Sequence, residues 1–201
     1  VKLVLFTLLG GTALAVSANV LNQIFEIETD KLMARTSDRP LVTGTISVKN
    51  AYIYSIFLAL TGFIILFTQT TPIAAYIAFM ANIFYSFIYT LILKPRTNQN
   101  IVIGGAAGAA PVLIGWAATG TELDTGSWLL FLLVFLWTPA HFWALSIENV
   151  EDYRGAEFPM LPTQESKKRT SIFIGVYSCA TVITVSYTHL RAHETRHYLV
   201  C

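Results

Sequence analysis

Apolar residues in this chain fall into long blocks rather than into the alternating pattern of β-strands. Polar or charged segments separate six such blocks, at 1–21, 48–68, 72–93, 101–119, 127–147 and 171–185. A helix that crosses a bilayer needs about 20 mostly apolar residues, whereas barrel strands alternate apolar with polar positions. The pattern therefore predicts an all-α, polytopic transmembrane helical bundle with about five complete spans and part of a sixth.

Composition and the placement of charge extend this picture. Hydrophobic residues make up 54% of the chain and charged residues only 12%, against roughly a quarter charged in soluble domains. Lys and Arg occur in the segments that follow the first, third and fifth blocks, and they are absent from 69–71 and 120–126. The positive-inside rule therefore predicts a multi-pass membrane protein with the three basic segments in the cytoplasm.

The C-terminal segment differs in character from the blocks before it. From about Val185 the chain reads VSYTHLRAHET, which resembles the in-frame translation of a sequencing adapter. Three histidines recur there at the four-residue spacing with which imidazoles on a helix can share zinc: His189, His193 and His197. Charges in the same stretch would interrupt a membrane span. We therefore expect residues 185–201 to be a non-native tail that binds no metal, and residues 1–184 to be one transmembrane domain, truncated at both ends.

The first polar segment carries the clearest candidate chemistry. Asn22, Glu26 and Asp30 are four residues apart and so share one face of a helix, with a drift of about 40° per step. Glu28 falls on the opposite face. Two carboxylates and a carboxamide suit Mg²⁺, which usually takes one or two protein carboxylates together with water and substrate phosphates. The pattern predicts a catalytic Mg²⁺ site for a diphosphate, and a solvated loop that only fixes topology is the alternative.

Basic residues near the Asn22–Glu26–Asp30 stripe are candidates for diphosphate binding. Arg35 and Arg39 continue the same segment, and Lys94 and Arg96 lie in ILKPRTNQN after the third block. Guanidinium and ammonium groups bind phosphate oxygens, guanidinium in a bidentate manner. We expect these four residues to bind substrate, and simple anchoring of the loops at the membrane surface is the alternative.

A second acidic pair follows the fifth block. Glu148 and Asp152 are again four residues apart, and Tyr153 follows directly. A second Mg²⁺ held by these carboxylates would neutralise the charge that develops on a departing diphosphate, with Tyr153 as a further substrate contact. Ordinary interfacial charges at a helix end are the alternative.

Two features lie within the apolar blocks themselves. His141 is an ionisable residue at membrane depth, which makes it a candidate substrate contact, or else a partner for the carbonyl group freed by Pro139. Gly104 and Gly108 have GxxxG spacing, which indicates close helix packing, with a groove for a flat or long apolar ligand as the alternative.

Four segments carry a resemblance to a known family. NQIFEIETDKLMARTSDRPL resembles the first aspartate-rich motif of intramembrane prenyltransferases of the UbiA type. LKPRTNQNIVIGGAAGAAPVLIGWAA, FLWTPAHFWAL and EDYRGAEFPMLP are similar to its protohaem IX farnesyltransferase (haem O synthase) branch. The resemblance implies a bundle of about nine spans around a central cavity, Mg²⁺ as cofactor, and farnesyl transfer from farnesyl diphosphate to the vinyl group of haem b. It also implies that Asp152 matches the second acidic motif.

The resemblance sets expectations for partners and for competing functions. It implies farnesyl diphosphate, haem b and the lipid bilayer as partners, haem A synthase or cytochrome oxidase assembly factors beyond them, and no nucleic acid. Another UbiA-type aromatic or quinone-precursor polyprenyltransferase is the nearer alternative, and a secondary transporter for an anionic solute the remoter one. Some residues replace usually basic positions of the branch: Ile27, Pro95, Glu148 and Val150. We expect the fragment to be inactive alone.

Overall fold

The computed structural model describes residues 1–198 of the chain and the side chains of residues 1–188. Its helices are α1 (Lys2–Phe25), α2 (Ile27–Asp30), α3 (Val48–Gln69), α4 (Pro72–Ile83), a π-helix (Phe84–Leu93), α5 (Asn100–Ala118), α6 (Thr125–Glu148), α7 (Val150–Gly155), α8 (Leu161–Gln164) and α9 (Lys167–Tyr198). Six segments of the described chain are long and apolar enough to cross a membrane. The all-α, multi-pass bundle predicted from the sequence is confirmed.

The sixth span is more complete than the sequence suggested. Its membrane-compatible part runs over Lys167–Thr188, whereas the apolar pattern predicted only part of a span over 171–185. The helix also continues through Val185, because no glycine or proline interrupts the chain between Gly175 and Tyr198. The side chains of the three tail histidines lie outside the described residues, so the prediction that they bind no metal stays a prediction.

Small residues bring α1 and α3 into close contact. A Cβ atom built on Gly62 would lie 2.7 Å from the carbonyl oxygen of Gly10, so the two backbones nearly touch. Further along the same helices, the buried hydroxyl groups of Ser17 and Ser55 lie 3.0 Å apart. Membrane helices associate through such small and polar contacts. The pairing holds α1 in place, and the candidate stripe begins near the end of that helix.

Polar side chains also connect the remaining spans. Asn82 on α4 donates a hydrogen bond of 2.8 Å to the carbonyl oxygen of Leu14 on α1. Thr71, which caps α4, donates one of 2.8 Å to the carbonyl oxygen of Ala117 on α5. α5 in turn packs on α6, and α6 packs on α9. These contacts place α1, α4, α5 and α6 around a common interior.

The third span changes its winding halfway along its length. α4 ends at Ile83 and the following ten residues form the π-helix, in which hydrogen bonds join residues five apart. The amide of Lys94 donates to the carbonyl oxygen of Tyr89 at 2.8 Å with this spacing. Because the turns are wider than in an α-helix, Tyr85, Tyr89 and Lys94 lie along one side of the span. The sequence pattern indicated a continuous α-helix here.

The polar segments after α1, before α5 and after α6 converge at one end of the bundle. Met33, Tyr153 and Met160 belong to one buried cluster together with Tyr89 of the π-helix and Trp143 of α6. This arrangement agrees with the expectation that the three basic segments share one membrane face.

Replacing Gly62 by alanine is expected to destabilise the bundle. The new Cβ would meet the Gly10 carbonyl oxygen at 2.7 Å, and a backbone atom cannot move without separating α1 from α3. Overpacking of this kind costs about 1–3 kcal/mol, which outweighs the gain of about 1 kcal/mol in helix propensity. Thermal unfolding of the full-length protein in detergent should show a lower midpoint. Gly11→Ala is the matched control, since a Cβ there meets nothing within 4 Å, and an equal loss in both variants would contradict the close approach.

Candidate functional site

A polar cavity of about 140 Å³ lies at the end of the bundle where the basic segments converge. Its walls come from α1, α2 and the loop after them, from the π-helix and Lys94, and from single residues of α6 and α7. The lining residues are Asn22, Glu26, Asp30, Met33, Arg35, Thr36, Arg39, Tyr85, Tyr89, Lys94, Phe142 and Tyr153. Seven of the sequence-predicted site residues are therefore brought together here: Asn22, Glu26, Asp30, Arg35, Arg39, Lys94 and Tyr153.

The four-residue spacing of Asn22, Glu26 and Asp30 is kept across a break in the helix. α1 ends at Phe25 and α2 begins at Ile27, with Glu26 between them. The amide of Glu26 nevertheless donates to the Asn22 carbonyl oxygen at 3.0 Å, and the amide of Asp30 donates to the Glu26 carbonyl oxygen at 2.7 Å. These bonds keep the four-residue spacing of a helix, so all three side chains reach the cavity. All three residues are buried, with 7%, 6% and 2% of their surface exposed in chain order.

Each buried carboxylate has a cationic partner from another part of the chain. The Lys94 ammonium group lies 2.6 Å and 2.7 Å from the two Glu26 carboxylate oxygens. The Arg39 guanidinium group lies 2.6 Å from Asp30 Oδ2. A buried carboxylate without such a partner would be costly. Sequence spacing suggested these basic residues as phosphate ligands, and the structure shows them neutralising the carboxylates.

Lys94 is itself held by its surroundings. Its ammonium group lies 4.5 Å from the centroid of the Phe158 ring, a distance typical of a cation–π contact. Its carbonyl oxygen accepts a hydrogen bond of 3.3 Å from the side-chain amide of Asn100, at the start of α5. The Lys94 ammonium group is thus fixed in the wall of the cavity, between the π-helix and the segment after α7.

Tyr153 reaches the cavity because of the way α7 ends. The amide of Phe158 donates to the Tyr153 carbonyl oxygen at 3.0 Å, and the amide of Glu157 donates to the Arg154 carbonyl oxygen at 3.1 Å. Glu157 has a positive φ of 56°, so this is a Schellman ending with a non-glycine residue in the left-handed position. Burial raises the pKa of Tyr153 above its ordinary value of 10, while the nearby Arg35 guanidinium group opposes that shift. The phenol is therefore a proton donor at neutral pH.

Four other sequence-predicted residues are not part of the cavity wall. Glu148 and Arg96 are exposed. Asp152 is half-buried next to Tyr153 but does not line the cavity. Asn149, with φ −112° and ψ 24°, separates α6 from α7, so Glu148 and Asp152 do not form the continuous helical stripe that their spacing predicted.

His141 lies on an exposed side of α6 and does not line the polar cavity. Its imidazole stacks on Trp137, with ring centroids 4.4 Å apart and planes at 16°. Its neighbour Phe142 is the residue of this segment that reaches the polar cavity. The apolar run around His141 gave no sign of which of its faces would turn inward.

Sequence reasoning missed several residues of the cavity wall, above all Tyr85 and Tyr89. Both precede Lys94 on the π-helix and lie on its side of the span. On an α-helix, Tyr85 and Tyr89 would share a face, but Lys94 would lie about 140° around the axis from Tyr89. The π-helical winding brings Lys94 to the side of the two tyrosines, and nothing in the apolar pattern indicates that winding.

A second, larger cavity of about 590 Å³ adjoins the polar one. Its walls are mostly apolar and come from α1, α4, the π-helix, α5 and α6. Tyr85, Tyr89 and Phe142 line both cavities. The volume falls within the range of roughly 300–1,000 Å³ that is typical of ligand pockets. The site thus combines a charged compartment with an apolar one.

The donor atoms of the polar cavity fit a hard cation such as Mg²⁺. Two carboxylates and one carboxamide oxygen match the small number of protein ligands that this ion usually takes. The Asn22 side chain donates its amide hydrogen to the Thr90 hydroxyl at 3.2 Å, which leaves its carbonyl oxygen as an acceptor. No group of three or more His, Cys, Asp and Glu residues with metal-binding geometry occurs among the described residues. With two carboxylates and one carboxamide, the set suits a cation that completes its shell with water and substrate.

Comparison with known proteins bears on what such a site does. The model of the UbiA prenyltransferase family matches residues 1–200. The chain is 46% identical over 176 residues to the protoheme IX farnesyltransferase of Synechococcus sp. (strain JA-2-3B'a(2-13)), covering 88% of this chain and 53% of that protein. It is 44% identical over 182 residues to the enzyme of the same name from Pseudarthrobacter chlorophenolicus, covering 90% and 57%. The chain thus spans about half the length of these curated relatives.

The fold also matches a solved structure. A UbiA homolog from Archaeoglobus fulgidus, bound to GPP and Mg²⁺, superposes with a TM-score of 0.78 at 21% identity, covering 95% of this chain and 67% of that one. A second structure of a UbiA homolog from the same organism, bound to DMAPP and Mg²⁺, also has a TM-score of 0.78. At this level of identity the likeness shows the fold alone.

Replacing Lys94 by methionine is expected to destabilise the protein. The change leaves the Glu26 carboxylate without its partner at a site where the two side chains are only 13% and 7% exposed, and breaking a buried pair from one side costs about 3–5 kcal/mol. The thermal unfolding midpoint of the full-length protein should fall. The double variant Lys94→Met/Glu26→Gln should recover most of the loss, because no charge is then left unpaired.

Lys31→Met is the matched control for this prediction. Its ion pair with Glu28 also measures 2.6 Å, but the side chains are 46% and 84% exposed, and exposed pairs contribute only about 0–1 kcal/mol. Similar losses in Lys94→Met and Lys31→Met would contradict the buried character of the Lys94–Glu26 pair.

Proposed function

The chain belongs to the UbiA prenyltransferase family, and we propose that it forms the donor-binding part of an enzyme that transfers a farnesyl group to haem b. The observation that carries this proposal is the adjacency of the two cavities. A prenyl diphosphate has a highly charged head and an apolar tail, and the site offers a charged compartment directly against an apolar one. The name printed for the relatives, protoheme IX farnesyltransferase, supplies the substrate class.

The polar cavity receives the diphosphate in this proposal. Arg39 and Lys94, which now neutralise Asp30 and Glu26, would turn their charge toward phosphate oxygens, with Arg35 beside them. Asn22, Glu26 and Asp30 would hold Mg²⁺, which when bound shields the charge of the diphosphate and of the leaving group. Tyr153, protonated at neutral pH, can donate a hydrogen bond to a phosphate oxygen.

Asp152 is proposed as a further carboxylate of this end of the site. It is half-buried, and its neighbour Tyr153 lines the cavity. Because adjacent residues of a helix point about 100° apart, α7 would have to turn when substrate binds for the Asp152 carboxylate to reach the cavity. Glu148 is exposed beyond the break at Asn149 and is not given this role.

The apolar cavity receives the farnesyl chain and the vinyl edge of haem. The bond between the allylic carbon and the diphosphate oxygen breaks, and its electron pair leaves with the diphosphate. The vinyl double bond then supplies the electrons for the new carbon–carbon bond, and the positive charge that passes to the inner vinyl carbon is quenched by water with loss of a proton. Apolar walls limit premature reaction of the allylic cation with water.

The setting of the enzyme follows from the same features. The active end carries the basic segments, so we propose that it faces the cytoplasm in a multi-pass protein of the inner membrane. Haem O formed here would serve haem A synthase or cytochrome oxidase assembly factors as its consumers.

Removing one carboxylate charge is expected to impair the reaction severely. Asp30→Asn and, separately, Asp152→Asn should each lower haem O formation by roughly 100- to 1000-fold, the usual cost of one lost charge-stabilising contact in such a site. The measurement is haem O by chromatography, with the purified full-length protein, saturating Mg²⁺, farnesyl diphosphate and haem b.

Glu28→Gln is the matched control, since Glu28 is exposed and pairs only with Lys31 in the structure. That variant should keep near-normal activity. Retained activity in Asp152→Asn alone would remove Asp152 from the site, whereas retained activity in both aspartate variants would refute the proposed mechanism.

A further inference from the structure

The boundary between the two cavities consists largely of two tyrosine rings. Tyr85 and Tyr89 line both cavities, and their rings stack with centroids 5.2 Å apart and planes at 27°. Tyr89 is buried, with only 8% of its surface exposed. A molecule that extends from the carboxylates into the apolar cavity therefore passes beside these rings.

A glycine of α5 determines where the second ring can lie. Tyr89 packs directly on the backbone of Gly104, so closely that a Cβ atom built there would lie 2.8 Å from Tyr89 Cε2 and closer still to Cδ2. The atoms concerned belong to the ring and not to the end of a flexible chain, so any side chain at position 104 would push the ring toward the cavities. The GxxxG spacing indicated close helix packing, and the structure shows Gly104 of α5 in close contact with this tyrosine of the π-helix.

We propose that Tyr85 and Tyr89 form a partition that keeps water of the polar cavity away from the allylic cation, and that Gly104 is the positioning residue of this partition. The inference rests on the proposed function and deepens it. Water that reaches the allylic carbon forms a carbon–oxygen bond, releases a proton and yields farnesol with diphosphate. Attack by the haem vinyl carbon yields the transfer product instead. The partition therefore determines whether hydrolysis or transfer follows.

The two rings suit this role through their electrostatics as well as through their size. An aromatic face attracts a cation within about 6 Å of its centroid, and the stacked pair stands where the charged head and the apolar chain of the substrate would meet. The rings can therefore stabilise the allylic cation without offering it a nucleophile as exposed as water.

The test separates transfer from hydrolysis. Purified full-length protein is incubated with Mg²⁺, farnesyl diphosphate and haem b, and both farnesol and farnesylated haem are quantified. Tyr89→Leu should raise the ratio of farnesol to transfer product by about ten-fold, because water then reaches the allylic carbon more easily; ten-fold corresponds to a change of about 1.4 kcal/mol in the difference between the two barriers. Tyr89→Phe keeps the aromatic face and should keep the ratio near that of the wild type.

The role of Gly104 is tested in the same assay. Gly104→Ala should also raise the ratio, and Gly115→Ala on the same helix is the matched control, because a Cβ there meets nothing within 4 Å. In the double variant Gly104→Ala/Tyr89→Leu the alanine should add little, since the ring that it displaces is gone. This non-additivity would not arise from a general loss of helix packing.

The outcomes distinguish this inference from the function on which it rests. An unchanged ratio in Tyr89→Leu, with transfer intact, would overturn the partition and leave the proposed function standing. If the wild type released farnesol but never farnesylated haem b, the proposed acceptor would be wrong, and increased farnesol release by Tyr89→Leu and Gly104→Ala, but not by Gly115→Ala, would still support the partition. Equal effects of Gly104→Ala and Gly115→Ala would remove Gly104 from its positioning role.

Discussion

The need to neutralise two carboxylates buried at the end of an apolar bundle governs the arrangement around the site. Glu26 and Asp30 follow a membrane-spanning helix directly, where an unpaired charge would be costly. Their partners come from elsewhere: Lys94 from the end of the third span and Arg39 from the loop after α2. The Lys94–Glu26 pair therefore links the first polar segment to the end of the π-helix, and the Arg39–Asp30 pair links two parts of that segment to each other. In the proposed function, the same residues would supply both the ligands for Mg²⁺ and the cationic groups for a diphosphate.

The π-helix is what allows one span to serve both cavities. Its wider turn carries Tyr85, Tyr89 and Lys94 along one side, so that a single element contributes two aromatic rings and the ammonium group at successive depths. Gly104 lets α5 approach closely enough for the Tyr89 ring to lie against its backbone. Without that approach the ring would have to enter a cavity. Unusual winding and a small residue on the facing helix thus act together to shape the site.

The parts of this molecule that the sequence predicts are those that depend on regular periodicity. Five spans and part of the sixth follow from the length of the apolar blocks, and the Asn22–Glu26–Asp30 stripe follows from four-residue spacing that the structure preserves across the break at Glu26. Prediction fails where the period changes. The π-helix hides the alignment of Lys94 with the two tyrosines, and the break at Asn149 separates Glu148 from Asp152. The inward side of α6 could not be chosen because apolar residues surround His141 on all faces.

In the proposed function, charge and apolarity must meet within a few ångströms, and this requirement accounts for a site at the end of the bundle. A carboxylate site deeper in the membrane would leave more charges to be neutralised by protein alone, while one farther out would lose contact with a dry cavity. Asn22, on the last turn of α1, lines the polar cavity, whereas Phe142, on α6, lines both cavities. The position of the proposed diphosphate site along the helices would therefore be set by the depth at which water gives way to apolar side chains.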